Sequence, residues 1–154
     1  MPLHGMGRLM AGLCLTMAFG ATGAFAQPND AAGRVKAVAG SAVIVRGGTA
    51  SPARVGALVH ESDILRTGSD GQLAVMLRDE TRLALGPGSD VTLGAFMFAP
   101  ADGRLSLVLR VARGALSYIS GRIAALMPDA VRLETPTSVI GVRGTHALIH
   151  VETP

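Results

Sequence analysis

The sequence predicts an all-β domain, either a compact β-sandwich or a short β-solenoid-like stack of about ten short strands, behind an N-terminal signal peptide. Aliphatic and polar residues alternate along most of the chain after Ala26, which is the period of a strand with one buried face. No stretch after Ala26 keeps an apolar helical period over three turns. Turn signals rich in Gly, Pro and Asp separate the alternating runs at roughly ten-residue spacing, as in sandwiches and β-stacks.

The first 26 residues predict export. Arg8 supplies a positive start, residues 9–19 form an uncharged apolar stretch, and Ala24-Phe25-Ala26 has the small-x-small pattern of a cleavage site. We expect cleavage after Ala26 and a periplasmic location, with a retained membrane anchor as the alternative. The only cysteine, Cys14, lies in this segment, so the exported part has no thiol to oxidise.

Residues 27–34 are small and polar and predict a loose leader, and residues 35–151 predict one all-β domain. Five runs alternate most clearly, and the residues expected on their buried faces are Leu73, Val75 and Leu77; Leu83 and Leu85; Leu105, Leu107, Leu109 and Val111; Val131, Leu133 and Thr135; and Ala147, Ile149 and Val151. The triplet Gly68-Ser69-Asp70 recurs as Gly88-Ser89-Asp90. This recurrence fits stacked rungs of a solenoid, and chance repetition of common turn residues explains it equally well.

Composition and motifs favour no catalytic chemistry. Apolar residues make up 49% of the chain, so a packed core is expected. The expected exported part has a formal net charge of +2 and three aromatic residues, so nucleic-acid binding is not expected. The sequence has no nucleophile elbow and no acidic cluster with calcium-loop spacing. His146 and His150 would lie about 13 Å apart on a strand, too far for one metal ion. We therefore expect no catalytic residue, no metal and no cofactor, and we interpret the Asp residues beside Gly or Ser as turn caps.

The stretch from Thr135 to Thr145 differs from its surroundings. Pro136 is typical of a strand end, and Gly141 and Gly144 bracket Arg143 in a way that predicts a tight bend or a close backbone approach. We expect the Arg143 guanidinium to be largely buried and bonded to backbone carbonyls or a carboxylate of an adjacent strand. The alternative is an Arg that binds a ligand.

From about Val35 to Val151, the order of motifs resembles the FecR domain, the periplasmic domain of FecR-type signalling proteins. The segment from Ser62 to Gly68 is similar to the family pattern Gly-Asp-x-Ile-x-Thr-Gly, and the segment from Pro87 to Leu93 is similar to Pro-x-Ser-x-x-x-Leu. Ser62 and Glu80 stand where the family usually has Gly. The matching residues, which we interpret as mainly structural, are Asp63, Thr67, Gly68, Pro87, Ser89, Gly114, Thr135, Pro136, Gly141, Arg143, Gly144 and Thr145.

The resemblance implies a role in signalling. FecR-type regulators combine a cytoplasmic segment that contacts an extracytoplasmic-function sigma factor, one membrane helix, and a periplasmic part that senses an outer-membrane receptor. For this chain we expect no direct contact with a cytoplasmic sigma factor. We expect a non-enzymatic periplasmic recognition module that binds a periplasmic or outer-membrane protein. The alternative is a structural envelope protein, or one that acts on a glycan or peptide.

Overall fold

A computed structural model describes residues 31–153, which are mostly β-strand. The predicted signal peptide at residues 1–26 and the leader up to residue 30 lie outside the described residues. The strands are β1 (Gly33–Ala39), β2 (Ala42–Arg46), β3 (Thr49–Pro52), β4 (Leu58–Val59), β5 (Ile64–Thr67), β6 (Gln72–Leu77), β7 (Arg82–Leu85), β8 (Asp90–Ala99), β9 (Arg104–Ile119), β10 (Val131–Glu134), β11 (Val139–Gly141) and β12 (His146–Val151). The all-β prediction is confirmed, with twelve strands where about ten were expected.

Strand β9 joins two half-sheets into one curled sheet. Its second half pairs with β7 and β12, which gives a first half-sheet in the order β4-β1-β6-β7-β9-β12. Its first half pairs with β8 and β10, which gives a second half-sheet in the order β3-β2-β5-β8-β9-β10-β11. Every pairing is antiparallel except that of β9 with β10. The two halves of β9 meet at Gly114, whose φ is +85°.

The core lies between the two half-sheets and is built by the alternating residues. Leu73, Val75 and Leu77 of β6 are buried while the residues between them are more exposed. In β9 the buried set is Leu107, Leu109, Val111, Leu116 and Tyr118. Aliphatic side chains buried at alternate positions of most strands supply most of the stabilisation available to a domain without disulfides. Strands β3 and β11 are exposed along their whole length.

In the part of the chain that the structure describes, helical structure is confined to short segments after β8 and β9. Helix α1 (Arg122–Leu126) has five residues, and two 3₁₀ turns cover Pro100–Asp102 and Pro128–Ala130. Within residues 31–153, no helix is long and apolar enough to cross a membrane. At the other end of the chain, β1 begins at Gly33 and Ala32 is buried, so the last residues of the expected leader belong to the packed domain.

Candidate functional site

The two repeated triplets lie side by side and are locked together by Thr67 and Ser89. The Gly88 N–H donates to the Gly68 carbonyl at 2.9 Å, and the Thr67 N–H donates to the Ser89 carbonyl at 2.9 Å. The Thr67 hydroxyl donates to the Gly86 carbonyl at 2.7 Å and accepts from the Ser89 N–H at 2.9 Å. The triplets therefore act as stacked turns at one end of the domain, and Pro87 lies exposed in the second turn.

The Ser89 side chain ties these turns to the bend in β9. Its Oγ lies 2.8 Å from the Gly86 carbonyl oxygen and accepts from the Ala115 N–H at 3.0 Å. A Cβ on Gly114 would overlap Ser89 and lie 2.5 Å from its Cα. Gly114 is thus required both by its positive φ and by the close approach of Ser89. These motif residues form a structural node, in which the side-chain hydroxyls are used in hydrogen bonds that hold the turns.

Asp63 closes the opposite end of β5 through a bidentate ion pair. Arg46 donates from Nε to Oδ1 at 2.8 Å and from Nη2 to Oδ2 at 2.6 Å, and the His60 N–H donates to Oδ2 at 2.8 Å. Burial of Asp63 opposes its ionisation, but the bonds from Arg46 and His60 outweigh that effect and lower the pKa of the carboxyl. The same hydrogen bond raises the pKa of Arg46. The Asp63 carboxylate accepts hydrogen bonds from both residues and so holds Arg46 and the backbone at His60 together.

A second buried carboxylate, Asp79, was interpreted from the sequence only as a turn cap. It accepts from the Thr81 N–H at 3.2 Å, as a cap does, and also from the Thr81 hydroxyl at 2.7 Å. Its Oδ2 further accepts from the Ile123 N–H at 3.2 Å, which holds the start of α1. Burial, followed by the charge of Asp79, raises the pKa of Tyr118 to about 12. The Tyr118 hydroxyl is buried without a hydrogen-bond partner among the described residues.

Both departures from the family's glycines have a structural consequence. Ser62 has a φ of +71° and Glu80 a φ of +70°. These are left-handed conformations that L-residues adopt at a cost of roughly 1–2 kcal/mol. The two turns keep the backbone that the family pattern implies, although neither position has the residue best suited to it.

The structure contradicts the prediction that Arg143 is buried. Its side chain is 85% exposed and lies 3.6 Å from an equally exposed carboxylate oxygen of Asp129. A Cβ on Gly141 or Gly144 would meet nothing within 4 Å, so these glycines permit no close approach here. The buried residue of the segment is Val142. It anchors the loop and leaves Arg143 at the surface, where the pair with Asp129 contributes little to stability.

The turn before this loop is closed by Thr135. Its N–H donates to the Ser138 carbonyl at 2.8 Å, and its hydroxyl accepts from the Ser138 N–H at 3.1 Å. Pro136 is exposed in this turn. The turn connects β10 to β11 and so places Val139 and Ile140 at the outer edge of the second half-sheet.

Open cavities and apolar side chains surround this C-terminal motif. We call the exposed side chains of residues 126–151 the C-terminal surface. A cavity of about 470 Å³ lies between α1 and the loop at Val142 to Thr145, with Ala124, Ala125 and Arg143 in its wall. A groove of about 610 Å³ lies between the turn at Thr135 and β12. Val139 is 69% exposed and Leu148 is 75% exposed. Such a surface can bind a partner through apolar contacts.

The titratable groups of this surface are not gathered into a reactive cluster. His146 and His150 lie in β12, and the His146 Nε2 is 3.0 Å from the Ser117 hydroxyl. Within residues 31–153, no group of three His, Cys, Asp or Glu residues is placed to hold a metal ion.

The fold and this surface define a small all-β domain whose buried carboxylates brace turns and whose C-terminal surface is open. The family model described as FecR protein matches residues 63–153. The chain therefore belongs to the FecR family, a family of signalling regulators whose domains are typically periplasmic. No curated protein and no solved structure matches the chain. Strands β1 to β4 precede the matched residues, and β1, β2 and β4 contribute side chains to the same core.

Proposed function

We propose that this domain is a non-enzymatic recognition module of the periplasm, and that its C-terminal surface binds a periplasmic or outer-membrane protein. One observation carries the proposal. Within residues 31–153, five of the eight exposed large apolar side chains lie on the C-terminal surface: Leu126, Met127, Val139, Ile140 and Leu148. Exposed apolar patches rimmed by polar residues are typical of protein interfaces.

The polar residues around this surface support recognition over catalysis. Arg143 and Asp129 are both exposed at its rim, where charged groups set the orientation and specificity of a partner. The two buried carboxylates, Asp63 and Asp79, lie elsewhere and already accept hydrogen bonds from backbone and side-chain donors. A general acid or base needs a proton-transfer group within reach of a substrate, and these two are occupied by structural bonds.

Site-specific photocrosslinking in cells tests the proposal. A photoreactive residue at Val139 should give a discrete adduct with an envelope protein that mass spectrometry identifies. The matched control is Val55, which is 70% exposed and lies outside the C-terminal surface. Adducts at both positions alike, or at neither, would contradict a specific interface here.

The compartment is tested by fractionation and intact-mass measurement of the same protein. We expect a periplasmic chain that begins at Gln27. A mature mass that includes residues 1–26, or a cytoplasmic location, would overturn export.

A further inference from the structure

Strand β12 presents an open backbone edge. In the described part of the chain it pairs only with β9, in an unbroken antiparallel register. The Ser120 N–H donates to the Thr145 carbonyl at 2.9 Å, which fixes the alternation of hydrogen bonds. Residues 147, 149 and 151 therefore bond to β9, and the N–H and C=O groups of His146, Leu148 and His150 point away from it.

The edge lacks the features that usually protect such strands. β12 contains no Lys, no Pro and no bulge, although natural proteins block exposed edges with these devices. The Leu148 side chain is 75% exposed in the middle of the strand. An unprotected edge with an apolar centre is a template for another strand.

Space for an added strand lies directly beside this edge. The 610 Å³ groove between β12 and the turn at Thr135 has Ile140, Ile149 and Val151 in its wall. An extended segment paired with β12 would direct every second side chain into this groove and the others onto the outer face of the first half-sheet.

Within the strands of that outer face, the charged side chains are all basic. The strands of the first half-sheet contain no Asp or Glu, and their exposed basic residues and histidines are Arg34, Lys36, Arg82, His146 and His150. Acidic residues follow only beyond the strand ends: Glu61, Asp70, Asp79, Glu80 and Glu152, the last of which also lines the groove. A positive potential over the face favours acidic side chains on an incoming segment.

We propose that β12 accepts an extended segment of the partner protein as an added strand, whose outward side chains are acidic at the positions beside His146 and His150 and apolar beside Leu148. This inference rests on the proposed function and specifies how the partner is held. Only a polypeptide can satisfy the alternating donors and acceptors of the edge. A second copy paired through β12 and centred on Leu148 would instead set His146 against His150 of the other molecule and join two faces of like charge.

The first experiment measures amide exchange by NMR in the full chain. In the free protein the amides of His146, Leu148 and His150 should exchange fast, while those of Ala147 and Ile149 are protected by their bonds to β9. A synthetic peptide with the core Glu-Thr-Val-Thr-Glu should slow exchange at the three open amides. Protection of these amides in the free protein, or no change with peptide, would overturn strand addition.

Two altered peptides separate the contributions of backbone and charge. The same peptide with its edge-facing nitrogens methylated keeps its side chains and loses its donors, so binding should disappear. The core Lys-Thr-Val-Thr-Lys should bind more weakly than the acidic peptide. Equal binding by the methylated peptide would show side-chain contact only, and equal binding by the Lys peptide would contradict the acidic preference.

A matched pair of variants tests the edge in the chain itself. Leu148→Pro removes an N–H that points away from β9, so the fold is retained, and peptide affinity should fall at least about tenfold. Leu148→Thr keeps the N–H and should bind within a few-fold of the parent.

The outcomes separate strand addition from the proposed function. If the Leu148→Pro variant keeps both the Val139 photoadduct and the peptide affinity, strand addition is wrong while the interface stands. If Val139 gives no adduct in the parent, the proposed function itself fails. Concentration-dependent dimers that Leu148→Pro abolishes would assign the edge to self-association and contradict the inference.

Discussion

Removal of the hydroxyls of Thr67 and Ser89, singly and together, tests the node that joins the stacked turns to β9. Thr67→Ala leaves the buried Ser89 N–H without its acceptor at 2.9 Å. Ser89→Ala leaves the partly buried Ala115 N–H without its acceptor at 3.0 Å. An unsatisfied buried donor costs about 1–3 kcal/mol. We expect Thr67→Ala toward the upper end of that range and Ser89→Ala toward the lower end.

The double variant, compared with the two single variants, measures the coupling between the two hydroxyls. The Gly86 carbonyl receives the Thr67 hydroxyl at 2.7 Å and lies 2.8 Å from the Ser89 Oγ. Each single substitution therefore leaves this carbonyl one hydroxyl donor, and the double substitution leaves it none. The free energy of unfolding should fall by more than the sum of the single effects, by about 1 kcal/mol of coupling.

Urea unfolding of the chain from Gln27 gives the midpoint and slope for each variant. Thr67→Ser retains the hydroxyl and should lose less stability than Thr67→Ala. Ser69→Ala alters an exposed serine of the same turn and should stay within about 0.5 kcal/mol of the parent. A Ser89→Ala variant as stable as Ser69→Ala, or strictly additive effects in the double variant, would refute the node.

Four further substitutions test individual positions. Ser62→Gly and Glu80→Gly should each raise the free energy of unfolding by up to about 1 kcal/mol, since glycine relieves the left-handed backbone; a loss of stability in urea would contradict this. The raised pKa of Tyr118 means that its contribution to stability is complete below about pH 10 and is lost as the pH rises toward about 12. Tyr118→Phe should remove this alkaline loss in melting experiments without lowering stability at pH 7, and a large loss at pH 7 would show that the hydroxyl has a partner. The lowered pKa of Asp63 means that its contribution is present above about pH 4 and is lost as the pH falls through the lowered value. Asp63→Asn should therefore be less stable than the parent at pH 7 and approach it in acid, whereas a constant gap across acid melting curves would exclude the linkage.

The sequence predicted those features that depend on local alternation. Leu73, Val75 and Leu77 are buried together because a strand turns every second side chain to one face, whatever lies opposite. The prediction that Arg143 is buried was wrong, because whether a glycine permits a close approach depends on a neighbour that is distant in sequence. Close approaches occur at other glycines, such as Gly114 against Ser89 and Gly121 against Thr81, and not at Gly141 or Gly144.

The parts of the fold that the sequence could not predict are contacts between remote positions. The start of α1 is held by Asp79, 44 residues before Ile123, and no local period encodes such a bond. The repeated Gly-Ser-Asp triplets did indicate that two turns of the chain could be stacked. Their stacking could be suggested from the sequence, but the hydroxyl bonds of Thr67 and Ser89 that fix it depend on how the chain returns through β9.

The position of β9 in the chain determines the order in which the domain can form. Strands β1 to β8 pair only within their own half-sheet, and strand pairing joins the two half-sheets only through β9, which begins at Arg104. The two half-sheets can join only after this strand has formed. Its partner β7 precedes it in the chain, whereas its partner β12 follows it. Such sequence-distant contacts make folding slow, because loop-closure entropy is lost before the contacts form. A fragment that ends before Arg104 should show no cooperative unfolding transition, and the addition of residues 104–119 should produce the first one.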